Sequence, residues 1–222
     1  MDLDWDIICE SGLQYFGKMS ASISHEIKNA LAIINESAGL LEDLAALAEN
    51  GVPLDPQRLR THAGKITKQV RRADGIVKNM NRFAHSVDEA VKGVDLVETV
   101  GFVKALSARF AFMKEITLEE APAPSAPVTL KANLFLLQNL IWLCIDFAMR
   151  CAGPGKTVIL LTEGTGKGGK IRFSSLQGLA DGPLEEFPGE REKALLRALG
   201  ADIVVDVRAG EITLIVSGAS VK

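Results

Sequence analysis

One of the three histidines in this chain sits where the residue pattern supports chemistry. His25 lies in Phe16-Gly-Lys-Met-Ser-Ala-Ser-Ile-Ser-His25-Glu26-Ile-Lys28-Asn29-Ala-Leu-Ala-Ile-Ile34. Around it, apolar residues recur at Ile23, Ile27, Ala30, Ile34, Ala38, Leu41, Leu44 and Ala48. That three-four alternation draws one apolar stripe along a long helix. His25 falls two residues past Ile23 and two before Ile27, off the stripe, so its imidazole points outward. An outward imidazole is free to meet another molecule. Lys28 and Asn29 follow three and four residues on, on the same face. Glu26 is turned about 100° from His25 and reaches it only from the side.

The run Ser24-His25-Glu26-Ile27-Lys28-Asn29-Ala30-Leu31 resembles the H-box of bacterial sensor histidine kinases, usually Ser-His-Glu-apolar-Arg/Lys-Asn-Pro-Leu. Ala30, where the family commonly has proline, is the single departure in eight positions. The resemblance implies that His25 is the phosphoacceptor and that Glu26 orients or deprotonates it. It also implies that Asn29 can position water to dephosphorylate a partner, and Lys28 is placed to neutralise phosphoryl oxygens. His62 and His85 lack that context and read as surface or packing residues.

The elements that must carry these residues follow from the same patterning. Residues 5–49 read as one long helix, with Gly12 and Gly17 the places for a break, stopped by Asn50-Gly51-Val-Pro53. Asp55-Pro56 starts a second helix, expected over 56–91, with its stripe at Leu59, Ala63, Ile66, Val70, Ala73, Val77, Met80, Ala84, Val87 and Val91. Two long amphipathic helices joined by a short turn pack antiparallel, and a dimeric four-helix bundle buries both stripes. A dimerisation and phosphoacceptor hairpin is therefore expected over 1–92, and a second domain over 93–222.

At 222 residues, 47% hydrophobic and 24% charged, the composition is globular. The net charge of −3 hides an asymmetry: residues 57–85 hold eight Lys/Arg (58, 60, 65, 68, 71, 72, 78, 82) against Asp74 alone. Aromatic residues are scarce on that basic helix, with only Phe83, which argues against nucleic acid. Cys9, Cys144 and Cys151 form no disulfide or metal framework and are expected to be reduced, buried thiols. The acidic start Met-Asp-Leu-Asp is unlike a signal peptide, and no apolar run nears the roughly 20 residues of a membrane span. A soluble, cytoplasmic protein is expected.

The second half alternates helix and strand. A helix is expected from Asp95 to about 113, a strand at 115–118, a proline-rich connection over 121–127, a strand at 128–130 and an apolar helix over 132–151. Hairpin strands at 158–162 and 170–174 flank Gly164-Thr-Gly-Lys-Gly-Gly169; a helix at 190–199 and a hairpin of 203–207 with 211–216 complete the chain. The fold class is α+β: a helical hairpin followed by an α/β sandwich with a mixed or antiparallel sheet. The element order resembles the ATP-binding domain of histidine kinases.

Three elements depart from that family. Its Asn-Ala-x-x-Ala, which helps hold Mg²⁺ and phosphates, aligns so that Leu143 replaces the asparagine, with Asn139 and Asp146 as polar neighbours. Leucine ligates no metal. In place of Asp-x-Gly-x-Gly the chain has Ser175-Leu-Gln-Gly-Leu-Ala-Asp181-Gly182, and in place of a long nucleotide lid only Asp181 to Gly189, with acids that repel ATP. Gly153-Pro-Gly155-Lys156-Thr157 imitates a phosphate loop but runs from helix to strand. No cofactor is expected on this chain. The expected function is a homodimeric phosphorelay histidine phosphotransferase that resembles those built from a helical hairpin and a degenerate kinase-like domain. Its partner would be a response-regulator receiver domain, carrying its own Mg²⁺ and docked on the helical bundle; neither nucleic acid nor membrane is expected. The alternatives are an ATP-dependent sensor kinase with a divergent nucleotide site, and a non-catalytic or phosphatase regulator of a response regulator.

Overall fold

The computed structural model describes residues 5–122, 124, 126–166, 168–180 and 187–217. They divide into two compact units, Lys18–His85 and the remainder.

The helical unit contains most of α1 (Trp5–Glu49) and all of α2 (Pro56–Ala84). α1 is unbroken at Gly12 and Gly17. It stops at Gly51, whose φ of 85° favours glycine. α2 starts where expected: the Asp55 carboxylate accepts from the Gln57 N–H at 2.8 Å, and Pro56 fills the first turn. It ends at Ala84, earlier than expected, and residues 85–87 form a 3₁₀ turn. Val87 and Val91 therefore lie off the helix and are exposed.

On α1, Ser22, Ile23, Ala30, Ser37 and Leu44 are buried. On α2 the half-buried line is Leu59, His62, Ile66, Gln69, Ala73 and Ile76, while Ala63, Val70, Val77, Met80 and Ala84 are exposed. The stripe expected on α2 is thus split, because one chain supplies a single neighbouring helix and a heptad stripe has two flanks.

The second unit holds β1 (Lys92–Asp95), α3 (Leu96–Met113), β2 (Thr117–Glu120), β3 (Thr129–Ala132), α4 (Leu134–Arg150), β4 (Thr157–Thr165), β5 (Gly168–Ser174), α5 (Glu190–Leu199), β6 (Ala201–Asp206) and β7 (Glu211–Ser217). Five strands form a mixed sheet in the order β2-β4-β5-β7-β6. β2 runs parallel to β4, and the other pairs are antiparallel. β1 pairs with β3 in a separate two-stranded ribbon.

Burial alternates along the central strands, with Val158 and Leu160, Ile171 and Phe173, and Ile212, Leu214 and Val216 turned inward. α4 is buried nearly all round, as a helix that is apolar on every face must be. Its cap is Asn133, which accepts from the Leu136 N–H at 3.0 Å. The expected strand at 115–118 begins two residues later, because Ile116 still donates to Ala111 O and Glu115 takes a φ of 55° to end α3.

The residues up to Gly17 belong to this second unit, not to the helical one. Packing that sequence spacing does not reveal ties these first turns to α4. The Asn139 amide donates to Ser11 Oγ at 3.0 Å, and the Tyr15 ring meets Phe135 at 5.7 Å. A Cβ on Gly12 would come within 3.1 Å of the Phe135 ring, so glycine admits that close approach.

Candidate functional site

His25 lies in the middle of α1, far from either helix end. Ser22, Ile23 and Ala30 anchor the turns around it, and His25, Lys28 and Asn29 are all exposed. The imidazole is thus presented outward, with an ammonium and a carboxamide one turn on along the same face. Among the described residues, no hydrogen bond or ion pair holds any of the three.

Glu26 behaves differently. It is half-buried, and its Oε2 lies 3.7 Å from Nη2 of Arg72 on α2. No hydrogen bond joins it to the His25 ring. The sequence places Arg72 only among the basic residues of α2; which of them stands opposite Glu26 depends on the inter-helix register. The other basic residues of α2 are exposed, and Lys78 pairs along the helix with Asp74 at 2.8 Å. His62 is half-buried with no hydrogen-bond partner for Nδ1, and His85 closes the end of α2.

In the second unit, Leu143 is half-buried on α4. Of its polar neighbours, Asn139 is fully buried and donates through its amide nitrogen to Ser11 while its Oδ1 has no hydrogen-bond partner among the described residues, and Asp146 is paired with Lys114 at 2.8 Å and Arg150 at 3.9 Å. After β5, residues 175–180 are tied to neighbouring loops, and Ser175, Leu176, Gln177 and Ala180 border a cavity together with Arg208 and Gly210. The Leu176 N–H donates to Gly210 O at 3.1 Å, the Gly178 N–H to Cys151 O at 2.9 Å, and Leu176 and Leu179 are buried. Phe187 stacks on Phe147, with centroids 3.9 Å apart. Asp181, Gly182, Glu185 and Glu186 lie outside the described residues.

Residues 17–88 match the His Kinase A (phospho-acceptor) domain. His25 is the only histidine of this domain that stands in the H-box pattern and is exposed. The chain is similar to the histidine kinase AdeS of Acinetobacter baumannii, at 14% identity, 87% coverage of this chain, 97% of that one and a TM-score of 0.45. It is similar to the histidine kinase ThkA, solved in complex with the response regulator protein TrrA, at 18% identity, with 93% and 63% covered and a TM-score of 0.45. A bacterial phosphotransferase is similar at 16% identity, with 91% and 95% covered and a TM-score of 0.43. No curated protein matches the chain.

Among the described residues no group of three or more His, Cys, Asp or Glu could hold a metal ion. No described helix is long and apolar enough to cross a membrane. Cys144 and Cys151 are buried free thiols; Cys9, expected to be buried, is exposed because it lies on the outer side of α1.

Proposed function

We propose that this protein is a two-component phosphorelay phosphotransferase in which His25 accepts a phosphoryl group from one receiver aspartate and returns it to another. The observation that carries the reading is the exposed His25 imidazole at the H-box position of a His Kinase A domain. In the accepting step, the lone pair of the unprotonated ring nitrogen forms the N–P bond as the P–O bond to the receiver aspartate breaks, and its electron pair leaves with that carboxylate. The return step reverses these changes. The chain supplies orientation for an in-line transfer, Lys28 supplies positive charge near the phosphoryl oxygens, and the receiver brings its Mg²⁺.

A source of phosphoryl groups other than ATP is supported by the second unit. The resemblance puts Leu143 where the family has its metal-holding asparagine, the Asn139 amide donates to Ser11, Asp146 is paired with Lys114, and Phe187 lies on Phe147. A homodimer is supported by Val70, Val77 and Met80, exposed apolar side chains along α2 that a second hairpin would cover. The basic side chains of α2 complement an acidic receiver surface and would speed its docking at modest ionic strength. A second reading, dephosphorylation of a docked receiver, is favoured by Asn29, exposed four residues from His25.

The deciding experiment incubates a phosphorylated, labelled receiver domain with the wild type and with His25→Ala. Label is expected on the wild type and absent from the variant. A variant that is labelled equally would overturn the reading, as would labelling of the wild type by Mg-ATP alone. Loss of receiver phosphate without labelled His25, abolished by Asn29→Ala, would select the second reading.

A further inference from the structure

We propose that Arg72 is a positioning residue for the chemistry at His25, acting through Glu26. The inference rests on the phosphoryl-accepting role proposed for His25. Arg72 Nη2 lies 3.7 Å from Glu26 Oε2, linking α2 to the residue next to the candidate nucleophile. The separation exceeds the roughly 3.2 Å of a hydrogen bond, so this is a through-space ion pair rather than a bidentate clamp. Glu26 is the more enclosed partner, with 24% of its side chain exposed against 48% for Arg72.

Such a pair contributes little to stability, and its value is directional. Adjacent helix positions point about 100° apart, so an untethered Glu26 would populate several rotamers and face the flank of His25 in only some of them. Attraction from α2 narrows that set. The exposed His25 ring is then the mobile partner, able to turn onto a carboxylate already in place. During transfer the lone pair of one ring nitrogen bonds to phosphorus, while the proton on the other nitrogen stays on the ring, held by Glu26. Catalytic hydrogen bonds of this kind often form only in the reacting complex. Arg72 thereby limits how much of the population has the carboxylate where that N–H can find it.

Arg72 also belongs to the basic face assigned above to receiver docking, and the two roles differ in their kinetic signatures. A docking contact sets the receiver concentration needed for half-maximal transfer. A residue that orients Glu26 sets the maximal rate, and only while Glu26 can hold the proton.

The experiment measures single-turnover transfer from a phosphorylated receiver across receiver concentrations for the full chain, Arg72→Ala, Arg72→Lys, Glu26→Gln and Glu26→Gln/Arg72→Ala. Arg72→Ala is expected to lower the maximal rate about fivefold, the scale set by an exposed ion pair, and to leave half-saturation within about twofold. Arg72→Lys should restore most of the rate, and Arg72→Ala should add no loss to Glu26→Gln. Ring ¹⁵N spectra of His25 give a readout independent of transfer. The tautomer balance should change in Arg72→Ala and stay fixed when the same substitution is made on Glu26→Gln. Circular dichroism melts serve as the folding control. The proposal is overturned by a full rate loss persisting in the Glu26→Gln background, by a change in half-saturation alone, or by an unaltered His25 spectrum. If the wild type takes up no label, the phosphoryl-accepting role fails, and the spectra still decide whether Arg72 governs the His25 environment.

Discussion

The rings of Phe147 and Phe187 lie nearly parallel, with 12° between their planes and 3.9 Å between their centroids. Phe147 stands one turn past Leu143 on α4, and Phe187 belongs to the short segment that precedes α5. Both rings are buried, at 0% and 6% exposure, so the stack serves as core. Phe187→Ala should cost about 3–5 kcal/mol, from lost burial and from the space left behind. For a chain of this size that is a fall in Tm of about 2–4 °C per kcal/mol. Mg-ATP should not raise the Tm of either protein; a rise of several degrees in the wild type would mean that this unit still grips nucleotide.

Asn139 and Ser11 form a buried polar pair between α4 and the first turns of α1, at 0% and 2% exposure. Ser11→Ala removes the acceptor and strands the buried Asn139 amide, at an expected cost of about 1–3 kcal/mol. Asn139→Leu on that background should recover most of the loss, because removing both partners leaves no orphaned donor. Urea midpoints of the two singles and the double give the coupling directly. Additive losses would show that the hydrogen bond is not what joins the two segments.

That pair also marks where the sequence stops being readable. His25, its face and the start of α2 follow from local rules: apolar spacing, a capping aspartate and a first-turn proline act within a few residues. The α5 bounds were legible for the same reason, between the Gly189-x-x-Glu192 start and the αL turn at Gly200. Ser11 and Asn139 are 128 positions apart, and nothing local says that one satisfies the other. The Glu26–Arg72 pair depends on the register of two helices, and β1 is not legible in the sequence because four residues with Gly93 show no alternation until β3 pairs with them.

Gly169 ends the glycine-rich run that the hairpin strands are expected to flank, and the structure gives it a packing task. It sits in β5, where a Cβ would lie 2.6 Å from Leu96 Cδ2 and 2.7 Å from Val128 Cγ1. Gly169→Ala should therefore destabilise by about 1–3 kcal/mol, the usual range for overpacking. Gly166, at the turn itself, has open space where its Cβ would be, so Gly166→Ala is the matched control and should stay within about 0.5 kcal/mol. Equal chemical-denaturation midpoints for the two variants would sink this distinction between a packing glycine and a turn glycine.

Burial separates the three cysteines chemically. Desolvation raises the pKa of Cys144, and the nearby Glu192 carboxylate adds to the effect; desolvation also raises that of Cys151, opposed in part by Arg150. A disulfide-exchange reagent at pH 8 should therefore modify Cys9 alone in the native chain and all three thiols in denaturant. The same displacement couples to stability. Below the unfolded thiol value of about 8.5, both states keep their protons and these groups contribute no slope. Above it the unfolded chain releases protons that the native chain retains, so stability falls as pH rises toward the folded values. The urea midpoint should drop between pH 8 and pH 10, and Cys144→Ala should flatten that drop whatever its effect on the midpoint at pH 8. Rapid labelling of Cys144 in the native chain would show that its surroundings open far more often than a packed α4 allows.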